Sequence, residues 1–199
     1  MNFTSCPLDT SDKILYTLKT FDDLTTKRFT TYNLATWTGF TAVGYGHANP
    51  ILPASRPRQA RSTTGTGLID FTDSGQLASL RTFSYGCATP AGRSRASDAV
   101  ACNVTITATA LQFLDGGGVG SFQYEGTFSY EPVPSGVGRF VAMEDGDWVS
   151  VSGTVTVAPG ANPFYVFNYT FSATGADSSP VFLYLDDVVY SALCIGCGP

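Results

Sequence analysis

Basic charge is scarce in this chain. Eleven lysines and arginines stand against sixteen aspartates and glutamates among 199 residues, a net charge of −5. Nucleic-acid affinity comes largely from lysine and arginine displacing counterions, so this balance disfavours a nucleic-acid partner. Arg56, Arg58 and Arg61 in PASRPRQARS form a local exception. Interrupted by proline, that stretch reads as a solvated, mobile loop. Long apolar runs are also missing, and with no stretch of the roughly 18 apolar residues a membrane helix needs, no membrane span is expected. The start, MNFTSCPLD, lacks the basic-then-apolar layout of a signal segment and reads as a mature chain with an added initiator methionine.

Catalytic equipment is thin. A serine or cysteine nucleophile normally relies on a histidine base, yet the single histidine is His47, and no GxSxG turn surrounds a serine. Histidine-brace copper chemistry needs two histidines and is excluded by count. The glutamates are Glu125, Glu131 and Glu144. The first two share one side of an expected strand and would stand roughly 20 Å apart at about 3.4 Å per residue. A glycosidase pair must be closer, so Asp145 or Asp147 would have to serve as the partner. A polysaccharide lyase working with tyrosine, histidine and arginine finds its residue types in Tyr45, His47 and Arg81 or the arginine loop, but nothing in the sequence brings them together. An enzyme is therefore the less expected reading.

Strand and turn material is abundant. Charged residues are only 14% of the chain, while glycine, threonine, serine, phenylalanine and tyrosine are plentiful, which suits short strands joined by tight turns. Period-2 alternation assigns faces. In 101–110, ACNVTITATA, Cys102, Val104, Ile106 and Ala108 point one way and Asn103, Thr105, Thr107 and Thr109 the other. In 164–171, FYVFNYTF, the aromatic residues Tyr165, Phe167, Tyr169 and Phe171 oppose Asn168 and Thr170. Further strands are expected at 13–20, 37–45, 66–71, 78–86, 120–130, 147–157 and 181–190, separated by turn chemistry such as DGGGVG, PVPSGVG and APGANP. Segment 46–65 has no alternation and reads as the longest irregular stretch. The pattern predicts one all-β domain over 1–199, a two-sheet antiparallel β-sandwich of jelly-roll type. Residues 1–12 form an extension, 13–193 the sandwich and 194–199 a tail.

The five cysteines fall at Cys6, Cys87, Cys102, Cys194 and Cys197. Cys87 closes one strand and Cys102 opens the next, which favours a bridge between them. Cys6 is then expected to pair with Cys194 or Cys197, or else to stay free beside a Cys194–Cys197 bridge. With one CxxC and one histidine, a zinc site lacks ligands. Sequons at Asn2, Asn103 and Asn168 have the form accepted for N-glycosylation. The latter two lie on polar strand faces, consistent with a secreted, extracellular glycoprotein.

Thr20-Phe-Asp-Asp-Leu near the start and Tyr184-Leu-Asp-Asp-Val-Val-Tyr190 near the end carry adjacent aspartates. Two buried, unpaired carboxylates would be costly, so the pairs should face solvent, a basic partner such as Lys13, Lys19 or Arg81, or a cation. The strand resumes after Asp187, which favours a cation, and calcium suits hard oxygen ligands. Here the chain resembles calcium-containing jelly-roll carbohydrate-binding modules. It is also similar to a widespread group of secreted fungal β-sandwich proteins, through Thr20–Leu24, Trp37–Phe40, Phe83–Cys87, Cys102–Thr105 and Leu185–Tyr190. The resemblance implies a structural calcium on Asp22 and Asp186, with Asp23 and Asp187 as alternates.

Carbohydrate recognition on a sandwich depends on exposed aromatic rings aided by polar groups. Alternation in 147–157 puts Trp148 on the face of Ser150 and Ser152, beside Asp145 and Asp147, with the valines inward. Trp37 and Tyr45 are further candidates. The leading expectation is a secreted, non-catalytic protein, extracellular or cell-wall associated, that binds carbohydrate or cell-wall material. A structural or host-interaction protein with a protein partner comes second, and a polysaccharide lyase third.

Overall fold

The computed structural model describes residues 15–19, 21, 24, 30–32, 35–45, 49–55, 57–72, 76–90, 97–113, 119–137, 141–148 and 166–194. In chain order the strands are β1 (Leu15–Lys19), β2 (Thr31–Tyr32), β3 (Ala35–Thr38), β4 (Phe40–Gly44), β5 (Ile51–Leu52), β6 (Arg58–Ser62) and β7 (Thr66–Asp70). They continue with β8 (Gln76–Ala88), β9 (Cys102–Phe113), β10 (Val119–Tyr130), β11 (Val141–Ala142), β12 (Glu144–Asp147), β13 (Asn168–Gly175) and β14 (Phe182–Cys194). Two six-stranded antiparallel sheets face each other. The first runs β12-β8-β14-β6-β4, with β1 also on β14, and the second runs β10-β9-β13-β7-β3-β2. A short parallel pair, β5 with β11, stands apart. The expected β-sandwich is therefore the observed architecture, and among the described residues no helix is long and apolar enough to cross a membrane.

Alternation produces the core. Val104, Ile106 and Ala108 of β9 and Tyr169 and Phe171 of β13 are buried, while Asn103 and Thr170 are exposed. Edge-to-face aromatic contacts cross the interior, from Phe21 on Trp37 at 5.2 Å, through Trp37 on Phe40 at 5.6 Å, to Phe40 on Phe171 at 6.4 Å. Each such contact adds about 0.5–1.5 kcal/mol beyond area burial. The Cys87–Cys102 disulfide forms as expected and ties β8 of the first sheet to β9 of the second.

Two expected segments are built differently. The single strand read over 37–45 is two strands on different sheets, because Gly39 takes φ 85° and turns the chain from β3 into β4. That turn breaks the alternation, so Trp37 and Phe40 are both buried. Segment 46–65 is not continuous loop. It contains β5 and all of β6, and β6 pairs with β4 on one side and β14 on the other. Arg58 and Arg61 thus belong to an interior strand rather than a mobile loop, while Arg56 lies outside the described residues. Beyond Trp148, the strand expected over 147–157 also lies outside them.

Candidate functional site

Register places the relevant side chains on the outward face of the first sheet. Phe40 and Ala42 of β4, Ala60 of β6 and Leu183 and Leu185 of β14 point into the core. The intervening residues Thr41, Arg61, Tyr184 and Asp186 therefore point away from the second sheet. Ser84 of β8 is the register partner of Asp186 on one side and of Asp145 on the other, so these three form a row across β14, β8 and β12. The Ser84 hydroxyl donates to Asp145 Oδ1 at 2.7 Å.

Segment 49–55 folds over this face. Gln59 Nε2 donates to the Ile51 carbonyl at 3.0 Å, and Ile51 packs where Gly86 has no side chain, since a Cβ there would lie 3.1 Å from Ile51 Cγ2. Tyr130 OH donates to the carbonyl of Ala142 in β11 at 2.9 Å. Ser55 ends the cover by donating its N–H and its hydroxyl to Asp186 Oδ2, at 2.9 and 3.1 Å. Asp186 is fully buried, and its Oδ1 accepts no hydrogen bond among the described residues. Desolvation pushes its carboxyl up to about 7, against the opposing Ser55 and Asp187 backbone donors. Asp187 follows at φ 45°, within a register shift between Asp186 and Val189. This local bulge lets the strand resume after two aspartates.

A second polar cluster occupies the β4 edge. Arg61 Nη1 and the Tyr184 hydroxyl both donate to Asn49 Oδ1, at 2.7 and 3.2 Å, and Asn49 Nδ2 donates to the Gly44 carbonyl at 2.8 Å. The Arg61 guanidinium sits over Phe182 at 5.1 Å. Tyr45 follows Gly44 and is 37% exposed.

The expected sugar-facing group is not assembled. Trp148 is fully buried, edge-on to Tyr169 at 5.9 Å, so it is no surface platform. Its phase is set by Gly146, which lies under Phe83: a Cβ at Gly146 would stand 2.4 Å from Phe83 Cζ. Trp148 keeps that inward parity, while Asp145 and Asp147 are exposed. Trp37 is buried too, its indole N–H donating to the Tyr32 carbonyl at 3.1 Å. Tyr45 and the pair Asp145 and Asp147 sit on opposite edges of the first sheet, four strand spacings or roughly 19 Å apart.

Among the acidic enzyme candidates, Glu144 accepts from the Glu131 N–H at 3.0 Å, whereas Glu125 and Asp145 lie apart. Glu125 is exposed on the outward face of the second sheet and Asp145 on that of the first, so no glycosidase pair spans them. Burial raises the phenols of Tyr85, Tyr130, Tyr169, Tyr184 and Tyr190, with nearby Glu144 helping to push Tyr85 up to about 12. Such phenols stay protonated and serve as donors rather than bases. His47 lies outside the described residues.

So do Asp22, Asp23, Asn2, Cys6 and Cys197, while Cys194 is placed only as the last residue of β14, its backbone opposite Gln76. Among the described residues no group of three or more histidines, cysteines or acids is arranged to hold a metal ion. Ser55, Asn49 and Gln59 were not foreseen as partners, because each reaches its target across the chain from a stretch without periodicity. No family model, curated protein or solved structure matches this chain.

Proposed function

We propose that this is a secreted, non-catalytic protein that binds carbohydrate or cell-wall material at the β4 edge of the first sheet. The observation that carries this reading is the exposed ring of Tyr45, next to Gly44 and the Asn49–Arg61–Tyr184 cluster. A ring of this kind covers the apolar face of a sugar, while neighbouring donors and acceptors meet its hydroxyls. The Cys87–Cys102 disulfide fits an oxidising, extracellular setting. Sedimentation with insoluble wall polysaccharides, using wild type and Tyr45→Ala, tests it. Retention that falls at least about tenfold in the variant is expected; equal retention, or none on any polymer, rejects the site.

A structural calcium belongs to the same reading. The buried, unaccepting Oδ1 of Asp186 is a hard oxygen suited to a cation. Asp186, with Asp187, Asp22 or Asp23, would hold calcium for stability rather than for ligand contact. One observation favours a protein partner as the second reading: Val133 and Val137 are 56% and 41% exposed in the segment following β10.

A further inference from the structure

Both described sequons fall on a single surface. Asn103 stands on β9 and Asn168 on β13, adjacent strands of the second sheet, and both share parity with outward threonines. The second element of each sequon, Thr105 or Thr170, lies on the same face as its asparagine. Asn168 is the register partner of Thr109, six residues along β9 from Asn103, so the two acceptors are roughly 20 Å apart along the strands.

Hydroxyl rows fill the space between them. Thr127, Thr105, Ser172 and Thr66 stand in one cross-strand row, and Thr107 pairs with Thr170 in the next. Neither lysine nor arginine occupies an outward position of the described rows, where Glu125 stands beside Thr107, Asp70 beside Asn168 and Leu68 beside Thr170, so the surface is polar, mildly acidic and rich in hydrogen-bonding groups. Asn103 accepts from Ser129 through Oδ1 at 3.0 Å, a bond that does not use Nδ2, the atom that would carry a sugar. Asn168 is half-buried among its neighbours. That does not bar modification, because the sugar is attached as the chain enters the secretory pathway, before the strands close.

We infer that Asn103 and Asn168 both carry N-linked oligosaccharides, and that these lie against the threonine rows between them, making the outward face of the second sheet a sugar-covered face. The inference rests on the secretory part of the proposed function. In the attachment step, Nδ2 attacks the anomeric carbon of a lipid-diphosphate-linked oligosaccharide. The C–N bond forms as the C–O bond to diphosphate breaks, the diphosphate leaves with the electron pair, and the amide gives up one proton.

The full chain, secreted from a eukaryotic host, tests this in two steps. Site-resolved peptide mass should show a glycan on both asparagines; either one left bare in protein recovered from the medium overturns the inference. Carbene footprinting then compares this protein with protein trimmed to one sugar per site. Labelling of peptides spanning 102–113 and 168–175 should rise at least about twofold on trimming, with 40–44 on the first sheet unchanged. Occupied sites with unchanged labelling overturn the sugar-covered face while leaving the secretory reading intact. Failure to reach the medium at all counts against that reading as well.

Discussion

Replacing Asp186 with asparagine separates a buried proton from a buried cation. The carboxyl is fully buried and raised from 3.8 to about 7 by desolvation. Its folded-state pKa exceeds its unfolded value, so the folded protein keeps a proton that the unfolded chain has already released. Stability from this group is fully present below about pH 4 and is lost as pH rises through about 7. At 1.36 kcal/mol per unit, the loss amounts to roughly 4 kcal/mol. Urea unfolding at pH 4.5 and pH 8, on wild type and Asp186→Asn, reads it, and the difference between the two proteins cancels all other titrating groups. In chelator, Asp186→Asn should be the more stable protein at pH 8 and about equal at pH 4.5. With calcium the sign reverses at pH 8, because the ion satisfies the ionised carboxylate and the amide cannot hold it. Equal pH slopes in both proteins would refute the buried acid, and identical results with calcium and chelator would refute the cation.

Removing the inter-sheet staple by Cys87→Ala with Cys102→Ala closes no 15-residue loop and should cost about 3 kcal/mol in urea unfolding. Trp148→Ala should destabilise by about 3–5 kcal/mol, as a core truncation does, and a loss under about 0.5 kcal/mol would contradict its burial. Gly67→Ala pushes a methyl to within 2.1 Å of Phe40 Cε2, so a loss of about 1–3 kcal/mol is expected in the same assay. Tyr45→Ala should leave the urea midpoint nearly unchanged while weakening retention on wall polymers, which marks it as a surface residue of the binding site.

The long strands were legible because each buries one face under a strict period of two. ACNVTITATA shows its inner and outer residues directly, and the structure keeps that parity from Cys102 to Ala110. Strand β6 was not legible, since RQARS places only small Ala60 and Ser62, after Arg58 at its start, on its core side and carries polar Gln59 and Arg61 on the other. Its burial comes from neighbours on both sides, which no local pattern records. Trp148 misled for a related reason. The valines after it suggest an inward phase beginning at Val149, but the phase is fixed upstream, where Phe83 fills the space that a side chain at Gly146 would need. A glycine contributes nothing to a hydrophobic pattern, so the contact that sets the tryptophan's direction is silent in the sequence.

The two outward faces have different physical characters, and this bears on where a partner can dock. The second sheet presents rows of short hydroxyls with both described sequons among them. The first sheet is partly roofed by β5 and β11, which are held down by Gln59, Ser55 and Tyr130. A roof that hydrogen-bonds a buried carboxylate leaves little room for a ligand over the centre of that sheet. The proposed binding is therefore assigned to its β4 edge, where Tyr45 stays exposed and Asn49 links the roof to Arg61 and Tyr184. If that assignment is right, Asn49→Ala should weaken polymer retention as Tyr45→Ala does while also lowering the urea midpoint, because it removes the shared acceptor of two part-buried donors. A variant that loses stability but keeps full retention would instead confine Asn49 to holding the roof.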